Sequence, residues 1–307
     1  QTAARAILTN RQGSLSEQVT RVRRPDLKAT QRARRAVVPR FEESRVLTPP
    51  KLEFFNGLGG FARNGSEYVI VLGPNQRTPA PWINVVANRD CGFIVSESGS
   101  SYTWTLNSRE NQLTPWSNDP VCDPSGEAFY IVDNESGALW TPTALPIRID
   151  QTTYIASHGQ GYSRFEHAGH GISSELTQFV AVNDPAKISV LRLTNTSLRE
   201  RKLSVTGYVE WVLGFLRSVN APFIVTEIDS ETGALFAHNP WNSEFGQRIA
   251  FFDCVTDLVA WTADRSEFIG RNGSLDRPAA LLREEQLSGK TGAGIDPCAA
   301  LQAKITL

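Results

Sequence analysis

The chain has 307 residues, 40% of them hydrophobic, with 23 Gly and 17 Pro. That composition suits one large globular, turn-rich domain with an appendage, and excludes a disordered or fibrous chain. No run of about 18 apolar residues occurs, which excludes a bilayer-spanning helix within these residues. The net charge of −1 hides an asymmetry: residues 1–46 carry 11 Lys/Arg against 4 Asp/Glu, leaving 20 against 28 for the remainder.

The leader, residues 1–48, has helical composition, with Leu15, Val19, Val22, Ala33 and Ala36 set between polar residues. Pro25 interrupts it, and Pro39, Pro49 and Pro50 close it. Its arginines (Arg21, Arg23, Arg24, Arg32, Arg34, Arg35) come without interleaved aromatics or glycines. They read as the solvated surface of a basic helical linker, and no nucleic-acid partner is expected. Residues 49–307 change texture to short β-type runs separated by Gly, Pro, Asn and Asp. In chain order they are 68–72, 82–86, 92–97, 102–105, 128–132, 153–157, 162–167, 172–182, 187–194, 202–212, 223–228, 234–237, 248–253 and 299–306. More than a dozen strands with little helix between them predict a mainly β fold, a large antiparallel β-sandwich. One short helix is expected over Pro278–Gln286, capped by Asp276 and stopped at Gly289. The octad Asp133-Asn-Glu-Ser-Gly-Ala-Leu-Trp140 recurs as Asp229-Ser-Glu-Thr-Gly-Ala-Leu-Phe236, which reads as one hairpin solution used twice.

Two stretches mix aromatic and polar side chains as a polyol ligand requires, with paired donors and acceptors beside a flat π face. The first surrounds Trp104 and Trp116 with Asn107, Arg109, Glu110, Asn111, Asn118 and Asp119; the alternative is a long loop held by its own Asn and Ser side chains. The second is His158-Gly-Gln-Gly-Tyr-Ser-Arg-Phe-Glu-His167. As a strand it puts Tyr162, Arg164 and Glu166 on one face, suited to hydroxyl recognition together with His158, or equally to an ion pair covered by tyrosine. The stretches Asn239–Gly246 and Trp261–Gly273 read as structural corners. Cys91, Cys122, Cys254 and Cys298 have no metal-ligand spacing and are expected as reduced thiols. With no phosphate loop, dinucleotide fingerprint, GxSxG or HExxH, no cofactor, metal or catalytic residue is expected.

Gly57-Leu-Gly-Gly-Phe61, Thr78-Pro-Ala-Pro-Trp82, Asn107 to Pro120, His158 to His167, Glu210-Trp-Val-Leu-Gly214, Thr232 to Phe236, Asn239-Pro-Trp-Asn242, Phe268 to Asn272 and Gly294 to Cys298 resemble, in content and order, the carbohydrate-binding region that precedes the C-terminal family 94 domain of cyclic β-1,2-glucan synthases. The resemblance implies a β-super-sandwich related to galactose mutarotase, joined by linker helices to an (α/α)6 barrel of the same parent chain that bears the general acid. It also implies an inner-membrane-associated enzyme with cytoplasmic catalytic domains, and a sandwich that shapes the barrel's entrance and subunit contacts, including a homodimer. The expected function is therefore a noncatalytic module for β-1,2-linked glucan. Two alternatives stay open: an aldose epimerase using His158 or His167 with Glu166 as acid and base, and a purely structural interface domain.

Overall fold

The computed structural model describes residues 13–22 and 47–307, apart from 257, 284 and 285. The chain divides into two compact units, residues 1–40 and 41–307. In the first, Leu15–Val22 form helix α1, opened by a reciprocal cap in which Ser14 N donates to Glu17 Oε2 at 2.8 Å and Glu17 N donates to Ser14 Oγ at 3.3 Å. The Ser14 N–H and hydroxyl hold the Glu17 carboxyl below its usual range. The arginines from Arg23 to Arg35 and the expected break at Pro25 lie outside the described residues.

The second unit is antiparallel β, as expected. Its strands are β1 (Gly59–Ala62), β2 (Glu67–Leu72), β3 (Ile83–Ala87), β4 (Cys91–Ser96), β5 (Ser101–Thr105), β6 (Glu127–Asp133), β7 (Leu139–Trp140), β8 (Tyr154–Gly159), β9 (Tyr162–Gly169), β10 (Ile172–Val180), β11 (Lys187–Asn195), β12 (Lys202–Glu210), β13 (Val225–Ile228), β14 (Leu235–His238), β15 (Ala250–Phe252), β16 (Leu258–Asp264) and β17 (Pro297–Thr306). They form a six-stranded sheet, β1-β2-β8-β9-β10-β11, a five-stranded sheet, β16-β17-β12-β6-β7, and two three-stranded sheets, β3-β4-β5 and β13-β14-β15.

Alternation along the strands decides which face each sheet buries. Ile70, Leu72, Ala156, Phe165 and Leu176 of the six-stranded sheet meet Val86, Phe93 and Val95 of β3–β5 in one core. Val209, Trp211 and Leu301 of the five-stranded region meet Leu235 and Ala237 of β14 in another. Ile131, Trp140, Ile172 and Leu203 join the two large sheets, and the buried Arg201–Asp133 pair lies in the same region, on β6 and beside β12. The two octads are indeed one hairpin used twice. Asp133 Oδ1 accepts from Glu135 and Ser136 N–H, and Asp229 Oδ2 accepts from Thr232 N–H; Gly137 and Gly233 supply φ of 72° and 77° at the same place.

Two expectations are corrected, and one strand was not anticipated. The Trp261–Gly273 corner begins as strand β16 and continues into a short helical turn, Arg265–Phe268, capped by the Asp264 carboxylate, which accepts from Ser266 N. The helix expected over Pro278–Gln286 is a single 3-10 turn, Ala279–Leu282: Arg283 is extended, and Asp276 accepts from the Ser274 hydroxyl instead of capping. Strand β1 was hidden by its two glycines, which pass close to Tyr68 and to the Glu53 carbonyl, where any Cβ would clash. All four cysteine thiols are free, and no helix among the described residues is long and apolar enough to cross a membrane.

Candidate carbohydrate-binding site

Strand β5 reads Ser-Tyr-Thr-Trp-Thr, so Thr103 faces the interior, where its hydroxyl donates to Glu127, while Tyr102 and Trp104 share the opposite face. On that outer face Tyr102 stands opposite Ile94 of β4, and Ile94 opposite Val85 of β3. Ile83 and Val85 are each 54% exposed. Trp104 lies across Gly92, the one residue type that leaves room for the indole there, with its ring centroid 5.3 Å from that of Tyr102. Trp116, on the loop after β5 and 52% exposed, brings its ring to 6.0 Å from Tyr102. Ile83, Val85 and Trp116 thus expose apolar surface on the outside of the small sheet, a platform in which Tyr102 itself is buried.

Polar groups rim it. A cleft of about 300 Å³ is lined by Ile83, Ile94, Tyr102 and Trp116 with Ser96, Ser100, Asn118, Asp119 and Asp123. Asp119 Oδ1 accepts from Val121 and Cys122 N–H, both at 3.0 Å, which hold its carboxyl ionised below the usual range. Asp123 has a left-handed φ of 42° and accepts from Ser96 Oγ at 2.6 Å and from the Ser98 hydroxyl. A smaller recess of about 100 Å³, sharing Ala80, Pro81, Pro120 and Asp123 with the cleft, adds Arg77, Glu97 and Arg148. Glu97 is buried, accepts from Trp82 N at 2.7 Å and from Thr78 Oγ1, and is raised above the usual carboxylate range by burial.

Of the sequence-predicted residues, Trp116, Asn118 and Asp119 line this cleft, while Trp104 packs on Tyr102 and is not part of its lining. Asn107, Arg109, Glu110 and Asn111 do other work in the same loop. Asn107 Oδ1 accepts from Arg109 and Glu110 N–H, and the buried Asn111 donates to the Thr105 carbonyl at 3.0 Å. Arg109 projects into solvent, paired only loosely with Glu110 at 3.3 Å. This half of the loop is its own framework. Sequence reasoning missed Tyr102, Ile83, Val85, Ile94 and Asp123; the alternation of β3 and β5 was the available signal.

The 158–167 stretch is a β-hairpin elsewhere, and its two faces part. Tyr162, Arg164 and Glu166 share the outer face of the six-stranded sheet, as expected. There Tyr162 donates to Glu67, and Arg164 lies 3.9 Å from Glu67 and 3.6 Å from Glu166. His158 faces inward, toward β3. Its Nε2 lies 3.1 Å from the Trp82 carbonyl, which only accepts, so Nε2 carries the proton and Nδ1 accepts from Ser163 Oγ at 2.9 Å. Burial lowers its pKa to about 4, keeping the ring neutral. Asn84 Nδ2 completes this clamp between sheets, 3.0 Å from Gly159 O, 2.9 Å from Tyr162 O and 3.0 Å from Ser163 Oγ. His167 is fully buried, stacked on Tyr154 at 4.1 Å, with its pKa pushed down to about 3 by burial. Both histidines lie on the opposite face of the sheet from Glu166, so the epimerase pairing has no common substrate position.

Residues 66–307 match the model of the glycosyl hydrolase 94 supersandwich domain. The chain is 39% identical over 313 residues to the cyclic β-(1,2)-glucan synthase NdvB of Rhizobium meliloti, which covers 99% of this chain and 11% of that protein. It is 28% identical over 242 residues to solabiose phosphorylase of Paenibacillus borealis, and 24% identical over 255 residues to N,N'-diacetylchitobiose phosphorylase of Vibrio furnissii. It spans 30% and 31% of those two relatives. The chain therefore belongs to the glycosyl hydrolase 94 supersandwich domain family and represents one part of enzymes of that kind.

Proposed function

We propose that this chain is a noncatalytic carbohydrate-binding and scaffolding module whose ligand is β-1,2-linked glucan. The observation that carries the proposal is the exposed indole of Trp116, set against the buried Tyr102 ring, in a cleft with Ile83, Asn118, Asp119 and Asp123. The apolar face of a pyranose ring stacks on indole, while its hydroxyls donate to carboxylates and exchange hydrogen bonds with the amide. The glucan assignment rests on the similarity to a cyclic β-(1,2)-glucan synthase. In the parent protein the module occupies residues 49–307 of this numbering, helps to form the entrance of an (α/α)6 barrel on the cytoplasmic side of the inner membrane, and takes part in a homodimer. The 158–167 hairpin is assigned to the scaffold, since Tyr162 is bonded to Glu67 and His158 to Ser163 and the Trp82 carbonyl.

A second reading has its own observation. Trp241 is 70% exposed and stacks on Phe223 at 4.9 Å, beside the exposed Phe215, Leu216 and Val219. An apolar patch of this kind suits a protein contact, and assigns scaffolding to that side of the molecule. Titration with short β-1,2-glucooligosaccharides, followed by calorimetry and by Trp fluorescence, tests the glucan reading. Saturable binding that Trp116→Ala weakens supports it; absence of binding at millimolar sugar by a folded chain reduces the module to a scaffold.

A further inference from the structure

A second cleft, of about 200 Å³, opens at the seam between the five-stranded sheet, the β13–β15 sheet, β5 and the edge strand β11. Its walls are mainly apolar: Phe129, Val209, Trp211, Leu213, Ala250 and Phe252. An apolar cavity of about 150 Å³ accommodates a benzene ring, so this cleft has room for one ring and a small substituent. Arg248, Ile249 and Phe251 stand exposed at its lip.

The polar groups in the wall are mostly spent on one another. Glu127 accepts from Thr103 and Thr114 hydroxyls, both at 2.6 Å, and from Lys187 Nζ at 2.5 Å. Lys187 also donates to Ser101 at 2.8 Å and lies 4.3 Å from the centre of the Phe93 ring. Asn111 donates to Thr105 O, and Asn239 to Leu213 O and to Asn220. Thr105 donates to Asp90 O, and Tyr208 to Glu210. Among the buried side-chain nitrogens and oxygens lining the cleft, the Trp211 indole N–H, in a residue 2% exposed, has no acceptor. Trp140 and Trp261 share that lack, but of the three only Trp211 lines this cleft.

A buried donor without a partner favours any ligand that brings it an oxygen. The Glu127–Lys187 pair is neutral as a unit, so at the buried end of the cleft neither sign of charge gains a counter-ion, and Arg248 stands exposed to water at the lip. A sugar is disfavoured too, because one free donor and an aromatic wall leave most of its hydroxyls unmatched. We propose that this cleft is a binding site for a small uncharged molecule consisting of one apolar ring and one acceptor oxygen, an aryl ketone being the simplest such chemistry. The ring packs against Phe129 and Phe252, and the carbonyl accepts from Trp211.

The test uses the whole chain and two probes of equal shape, acetophenone and 2-phenylpropene, followed by ligand-observed NMR. The ketone is expected to bind about tenfold more tightly than the hydrocarbon, the worth of one buried hydrogen bond. Trp211→Phe is expected to abolish that preference while hydrocarbon binding persists, and Ala250→Leu, which fills the cleft, to weaken both probes at least about tenfold. Circular dichroism and melting curves establish that each variant folds; Val209→Ile supplies a milder filling if Ala250→Leu does not. The proposal is overturned by absence of saturable ketone binding to the wild-type chain at millimolar probe, by a ketone preference that survives Trp211→Phe, or by binding indifferent to either filling substitution.

Discussion

The loop after β5 and the β8–β9 hairpin draw on nearly the same side chains: tyrosine or tryptophan beside arginine, glutamate and asparagine or histidine. In the hairpin several polar groups find partners on other strands, although Arg164 Nε and His167 Nδ1 are buried without a hydrogen bond. Glu67 on β2 takes Tyr162 and Arg164, and Asn84 on β3 takes the backbone around Ser163. In the loop Asn107 and Asn111 are consumed in shaping the turn, whereas Trp116 and Asn118 line an open cleft beside Asp119 and Asp123, whose carboxylates already accept two hydrogen bonds each. Composition alone therefore does not mark a binding surface; what sets these groups apart is that the fold leaves them beside an open cleft.

If the hairpin is a clamp, acid should loosen it first. The folded pKa values of His158 and His167, about 4 and about 3, lie below the unfolded value near 6.5. Between pH 6.5 and about 4 the unfolded chain therefore binds protons that the folded chain refuses, so stability rises with pH in that window and falls as the solution is acidified. From pH 6.5 to pH 5 the expected loss is roughly 2 kcal/mol for each histidine, read as a fall in urea midpoint. His158→Gln should recover about half of it. Asn84→Ala is the next largest break. It leaves the carbonyls of Gly159 and Tyr162 without their donor between the sheets, with an expected cost of about 3 kcal/mol, while glucan affinity per folded molecule stays unchanged. A drop in affinity alongside stability would show that the two regions are coupled rather than separate.

The loop should answer in the opposite way. Trp116 is half exposed and packs only against the platform, so Trp116→Ala is expected to leave the melting temperature nearly unchanged. The same substitution should weaken β-1,2-glucooligosaccharide binding about tenfold, or roughly 1.5 kcal/mol, by calorimetry. Unchanged affinity with intact stability would remove the platform from the sugar-binding proposal.

The contrast also explains how far the sequence could be read. Strands with one apolar face, such as β9, β12 and β17, announce themselves by alternation, and the partition of Tyr162, Arg164 and Glu166 from Ser163, Phe165 and His167 followed from it. Strand β16 was missed although it opens on the apolar run Leu258-Val-Ala-Trp261, because the polar Asp264-Arg-Ser-Glu267 that follows drew the whole stretch into a corner; its pairing with β17 makes it a strand. The platform was half legible. Trp116, Asn118 and Asp119 stand on a long loop whose polarity drew notice, but on β3 and β5 the more apolar face is the outer one: Ile83 and Val85 alternate with Asn84 and Val86, and Tyr102 and Trp104 with Ser101 and Thr103. There, alternation separates two faces, and the rule that the apolar one meets the core picks the wrong face. Partner saturation was the least legible feature: Glu67 lies 95 residues from Tyr162, and Asn84 lies 79 from Ser163.

Arg109 gives the finest test of the division inside the loop itself. By type it is the residue most suited to grip vicinal hydroxyls, with a planar fork of donors. By position it is 87% exposed, held only by Glu110 at 3.3 Å, and belongs to the half of the loop whose asparagines are spent on the backbone. An exposed ion pair of this kind contributes little to stability, and a mobile guanidinium loses side-chain entropy whenever it orders on a ligand. Arg109→Ala is therefore expected to change stability by less than about 0.5 kcal/mol and glucooligosaccharide affinity by less than about twofold, measured beside Trp116→Ala in the same titration. A loss from Arg109→Ala as large as that from Trp116→Ala would mean that ligand binding recruits the first half of the loop, and the boundary drawn here between framework and platform would have to move to Asn107.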